Sequence, residues 1–94
     1  MNMIQVTAVK ALPQYEIWIK FSDDTEGVIS LAHLAGKGIF KDWDKNNLFT
    51  QVYVDTETNT IAWNKNLDID VLNLYLKIKN ITFEQYQQLS YAPN

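Results

Sequence analysis

The sequence predicts an α+β protein: an antiparallel sheet of about five strands, in two hairpins plus an N-terminal strand, with short helices and a helical C-terminal segment. Three observations carry this reading. YEIWIKF (Tyr15 to Phe21) alternates apolar and polar residues, breaks at SDDTEG and becomes apolar again towards Leu31, which is the pattern of a hairpin. QVYVD and TIAWN alternate in the same way around the polar link TETN. Beyond Asn66 the apolar residues change to helical spacing.

Ile4 to Lys10 (IQVTAVK) is rich in β-branched residues and forms the first strand, before Pro13, which cannot donate to a ladder. Tyr15 to Phe21 is the second strand, with Tyr15, Ile17, Ile19 and Phe21 on the burial face and Glu16, Trp18 and Lys20 on the other. Asp23 and Asp24 suit the turn that follows, and a third strand runs from Gly27 to Ser30. Ser30 is placed to cap a short helix through LAHLA that closes at Gly36. Ile39 to Thr50 has no steady period and reads as an irregular segment with a helical turn or two, pinning its aromatics into the core. Gln51 to Asp55 and Thr60 to Asn64 make the second hairpin. Asp68 or Asp70 caps a helix carrying Val71, Leu72, Leu74, Tyr75, Leu76 and Ile78; Asn80 ends it, and Thr82 with Gln85 has the capping-box form for a last short helix. The expected organisation is a single domain over 1–94, with a sheet-forming core over about 4–64 and a helical segment over about 68–90.

Composition narrows the function. The 94 residues carry a net charge of −3, and all eight cations are lysines, spread along the chain. Without arginine there is no bidentate grip on phosphate or guanine, so nucleic acid is a disfavoured partner. With no cysteine, disulfides, thiol nucleophiles and thiolate zinc sites are absent. No apolar run is long enough to span a bilayer and MNMIQVTAVK lacks the pattern of a secretory signal, so the expected location is the cytoplasm, away from membranes.

Few residues offer chemistry. His33 is the single histidine and has no partner set for a triad or metal site; it reads as a surface helix residue. Asp23, Asp24 and Glu26 read as a solvated turn, and the pairs Asp42, Asp44 and Asp68, Asp70 as loop and capping groups. GKG at 36–38 lacks the spacing and preceding strand of a phosphate loop. No catalytic, metal or cofactor-binding residue is assigned, and no enzyme activity is expected. The aromatics on the outward faces are more informative. Trp18 opposes the core set of its strand and Tyr53 stands in the same relation to Val52 and Val54, so Trp18 and Tyr53, with Lys20 and Glu16, form the candidate partner-binding surface. Two bland readings compete with it: cover on both faces of the sheet, and cross-strand packing of these rings.

The segments YEIWIKFSDD, GVISL, GKGIFKDW, LFTQVYVD, TIAWN and LDIDVLNLY, in this order over about residues 5 to 76, resemble the bacterial family known as domain of unknown function 2442. Two positions depart from it: Asp24, where family members usually carry glycine, and Asn66, where they often do, and both substitutes tolerate positive φ. The resemblance implies an α+β domain and no established activity. It also implies an arrangement like that of toxin–antitoxin pairs, with the gene beside that of another small protein. Some relatives continue into a helix-turn-helix, for which residues 82–91 supply one helix. The expectation is therefore a non-enzymatic protein-binding module, antitoxin-like, masking a neighbouring gene product with its sheet surface and edge. The alternative is a small transcriptional or nucleic-acid-associated regulator using Lys65, Lys77 and Lys79. A homodimer is compatible with an open strand edge, for which the first strand, lacking interior charges, is the candidate.

Overall fold

The computed structural model describes residues 4–91, and the architecture is α+β with six strands in two antiparallel three-stranded sheets. The first sheet has the order β1 (Val6–Leu12), β2 (Glu16–Phe21), β3 (Glu26–Ser30); the second has β4 (Tyr53–Asp55), β5 (Thr60–Asn64), β6 (Leu67–Asp70). Helices α1 (Leu72–Lys79) and α2 (Phe83–Tyr91) follow. One sheet of five strands was the expectation; local alternation identifies strands but carries no signal for which of them pair over long range.

The β1–β2 hairpin turns through three residues, Pro13 to Tyr15, between the paired Leu12 and Glu16. Gln14 (φ +63°) and Tyr15 (φ +60°) both adopt the left-handed conformation and the Glu16 N–H donates to the Pro13 carbonyl. This is the geometry of a type I′ turn, built here without the glycine or asparagine that usually occupies it. Tyr15 therefore lies in the turn and not in the strand, yet its ring still stacks on Trp43 (centroids 5.9 Å) and meets Phe49 edge-on at 5.2 Å. β1 runs two residues beyond its expected end, up to Pro13, and bulges at Thr7, so that Val6 opposes Phe21 and Ala8 opposes Lys20. The bulge lets Val6 and Val9, three apart, share the inner side.

The core forms where the inner faces meet: Ile17, Ile19 and Phe21 from β2, Ile29 from β3, Ile61 and Trp63 from β5, with Leu74 and Tyr75 of α1, are all buried. Trp43 and Phe49, each carried on a 3₁₀ turn (Gly38–Asp44 and Leu48–Gln51), complete an aromatic cluster with Trp63, whose Nε1–H donates to the Phe49 carbonyl at 3.0 Å. The irregular segment thus pins aromatics as its composition suggested.

Two local expectations are corrected. LAHLA forms consecutive turns and no helix; Ser30 Oγ accepts the Ala32 N–H at 3.2 Å, but the bonds that follow are i to i+3, such as Leu34 N–H to the Leu31 carbonyl. LDID is strand β6, paired with β5, so Asp68 is a strand residue; Asp70 does accept the Leu72 N–H at 3.2 Å, while the cap position is Val71. Asn80 ends α1 in the left-handed conformation, and Thr82 and Gln85 exchange both capping-box bonds, at 2.8 and 3.1 Å.

Side chains fasten the sheets and helices together. The Asn59 amide (φ +55°) donates to the Ile4 carbonyl at 2.8 Å and accepts the Val6 N–H at 3.0 Å, imitating a strand along the outer edge of β1; the Tyr86 hydroxyl accepts the Ile4 N–H at 3.2 Å. Gly27 of β3 lies directly under α1: a Cβ there would stand 3.2 Å from Ile78 Cγ2. No described helix is long and apolar enough to cross a membrane.

Candidate interaction surface

β2 sets the outward face of the first sheet. Glu16, Trp18 and Lys20 recur at every second residue and so project together, as their spacing predicted. The register adds their neighbours: Trp18 stands between Lys10 of β1 and Val28 of β3, Lys20 between Ala8 and Glu26, and Glu16 between Leu12 and Ser30. Val28 is 56% exposed, and neither it nor Trp18 belongs to the buried cluster. The Trp18 Nε1–H donates diagonally to Glu26 Oε1 at 3.0 Å, which orients the indole, and Lys20 Nζ lies 3.8 Å from Asp24. An apolar pair of Trp18 and Val28 is thereby framed by charges of both signs. Val28 was missed because its place beside Trp18 depends on the hairpin register, which no local pattern states.

Tyr53 is exposed but belongs to the other sheet, opposite Ala62 of β5, which in turn faces Asp68. The structure brings Glu16, Trp18 and Lys20 onto one face and leaves Tyr53 on a separate sheet.

The polar residues elsewhere form two structural links. The Tyr75 hydroxyl donates to Asp23 Oδ2 at 2.7 Å, and Asp23 Oδ1 accepts the Thr25 N–H at 2.9 Å. Partial burial pushes the Asp23 carboxyl up, yet the bonds from Tyr75 and Thr25, with the nearby Lys79 charge, outweigh it and hold the group below its ordinary value. Tyr75 is pushed up to about 12, by burial first and then by the bond to Asp23. Asp23 is therefore more than a solvated turn residue: it couples the β2–β3 turn to α1. The Tyr15 hydroxyl donates to Asp44, and that bond, with desolvation and the carboxylate charge, raises its pKa.

His33 is exposed, in the turns after β3 and not on a helix. With Asp70, Asn73 and Lys77 it rims an open groove of about 410 Å³ above the buried Leu31 and Leu74. No hydrogen bond joins His33 to another side chain among the described residues, and within those residues no group of three or more His, Asp or Glu is arranged around a metal position. The groove thus offers an imidazole without an orienting partner.

A small α+β fold of two three-stranded antiparallel sheets with short helices is the class these features define. The chain belongs to the family described as Protein of unknown function (DUF2442), whose model matches residues 6–80. Among solved structures it is similar to a crystal structure of a candidate DNA-binding protein from Nitrosomonas europaea, at 18% identity and a TM-score of 0.74, over 94% of this chain and 61% of that one. At that identity the likeness shows the fold, and this chain spans less than two thirds of the Nitrosomonas protein. No curated protein matches the chain.

Proposed function

We propose that this chain is a non-enzymatic protein-binding module that docks a partner on the outward face of β1–β3, with Trp18 as its anchor and Glu16, Lys20 and Val28 around it. The observation that carries the reading is the pair Trp18 and Val28, opposed across β2 and β3, with Val28 exposed, Trp18 half-buried and neither in the buried cluster. Tryptophan buries large area for little entropy, and mixed charges at the rim select register and partner. Tyr53 is a secondary contact on the neighbouring sheet. The partner proposed is the small protein encoded beside this one, with an antitoxin-like role of masking it, in the cytoplasm. Co-expression with that neighbour tests this: a stoichiometric complex weakened tenfold or more by Trp18→Ala supports it, and a complex indifferent to Trp18→Ala removes the face from the reading.

A second reading, a nucleic-acid-associated regulator, is favoured by one observation, the name of the Nitrosomonas protein that shares the fold. Against it stand the net charge of −3 and the placement of lysines beside carboxylates: Lys20 by Asp24, Lys45 within 3.2 Å of Asp42, Lys79 near Asp23. A gel-shift titration decides, since phosphate contacts make binding fall steeply with salt.

A further inference from the structure

We propose that the free edge of β3 joins two copies of this chain, strand to strand about a two-fold axis at Val28, into one continuous six-stranded sheet. Strand parity identifies the groups involved. The Phe21 N–H donates to the Thr25 carbonyl at 2.8 Å and the Leu31 N–H to the Tyr15 carbonyl at 2.7 Å, so Thr25, Gly27, Ile29 and Leu31 turn their backbone groups towards β2. Glu26, Val28 and Ser30 turn theirs the other way, where no described residue donates to or accepts from them. An edge of this kind, uncovered and with an exposed valine at its centre, is a template for pairing. β1, the other edge of the sheet and the one expected from sequence to be open, is instead clamped at its N-terminal end by Asn59 and Tyr86.

The β3 edge is complementary to itself. Antiparallel pairing centred on Val28 sets Val28 against its copy and Glu26 against Ser30 of the second chain, so all three outward-turned residues exchange hydrogen bonds. Registers centred on Gly27 or Ile29 leave one of the three unpaired. Lys77 of α1 lines a shallow groove along this edge with Val28, Ser30 and Ile78, on the side of the sheet that Gly27 turns to α1, while Glu26 of the second copy, arriving opposite Ser30, lies with it on the outward face. On the outward face the row Trp18–Val28 continues into Val28–Trp18 of the second copy, covering the most exposed valine of the sheet.

A five-residue edge is at the small end of interfaces, so association is concentration-dependent. The inference goes beyond the binding reading above and is tested on the isolated chain, so its failure leaves that reading standing. Sedimentation from micromolar to millimolar concentration is expected to show a monomer–dimer equilibrium, with the Val28 and Ser30 amides gaining hydrogen-exchange protection as dimer forms. Val28→Pro removes the central donor from a position where the single chain does not use it, and lowers self-association at least tenfold while circular dichroism stays native. If that variant unfolds, Val28→Lys serves in its place. A chain that stays monomeric at millimolar concentration overturns the inference, including one whose β3 amides are protected only when a different protein is added. A dimer unmoved by both Val28 variants overturns it too.

Discussion

Tyr75 and Asp23, 52 residues apart in sequence, are joined by a 2.7 Å hydrogen bond that fixes the β2–β3 turn against α1. The Phe21 ring packs edge-on against Tyr75 at 5.0 Å beneath it, so the link combines a polar contact with an aromatic one. Tyr75→Phe keeps the ring and loses the bond; the expected cost is about 1 kcal/mol, because the exposed Asp23 recovers water. Urea unfolding of the two proteins measures it.

The same pair gives stability a pH dependence at both extremes. Asp23 is held below its ordinary 3.8, so the unfolded chain binds this proton first as pH falls; the stability it contributes is complete above about pH 4 and is lost as pH drops through the folded value. Tyr75 is pushed up to about 12 from 10.0, so its contribution is complete below about pH 10 and is lost between about 10 and 12. Asp23→Asn should flatten the acid limb and Tyr75→Phe the alkaline limb of a stability profile, and the late-ionising part of the tyrosinate absorbance should shrink in Tyr75→Phe.

The Asn59 clamp is expected to be worth more than an ordinary turn residue. Asn59→Ala removes two hydrogen bonds to β1 and places a Cβ residue without a compensating amide at φ +55°, for a loss of about 2 kcal/mol. Asn59→Gly relieves the backbone and should recover only part of that. Hydrogen exchange at Val6, whose N–H loses its acceptor, reports the opening directly.

At the first turn the opposite sign is expected. Gln14 holds φ +63° with no gain visible from its exposed side chain, so Gln14→Asn should stabilise by about 0.5–1 kcal/mol. Tyr15→Gly relieves the same strain but loses the ring packing on Trp43 and Phe49, and should be net destabilising. Thermal melts of the two variants, shifted in opposite directions, check both.

Gly27 measures how closely α1 approaches the sheet. Gly27→Val directs a branched side chain at Ile78 and should cost about 1–3 kcal/mol, with Ile78→Ala recovering part of it in a double-mutant cycle.

Local signals carried most of the elements. The alternation of β2, the capping box at Thr82 and Gln85 and the left-handed stop at Asn80 each depend on residues within a few positions of one another. β6 was hidden because aspartates at 68 and 70 satisfy both a strand's outward face and a helix's first turn, and only pairing with β5 separates the two. The Asn59 clamp and the Asp23–Tyr75 bond join residues more than 50 apart, and polar residues in TETN and SDD are indistinguishable from ordinary turn residues until those partners are in place. For the surface, the outward direction of Trp18 follows from period two alone, whereas its neighbour Val28 and its separation from Tyr53 follow from register and sheet membership.

The outer side of β1 is completed by Asn59 and Tyr86, both encoded long after it. As the polypeptide leaves the ribosome from its N-terminus, the first three strands are made while those two caps are still untranslated, so the nascent meander waits with its leading border unsealed. Closure of the first three strands alone therefore does not seal this border; it is sealed once residues 59 and 86 have been made and folded back onto it.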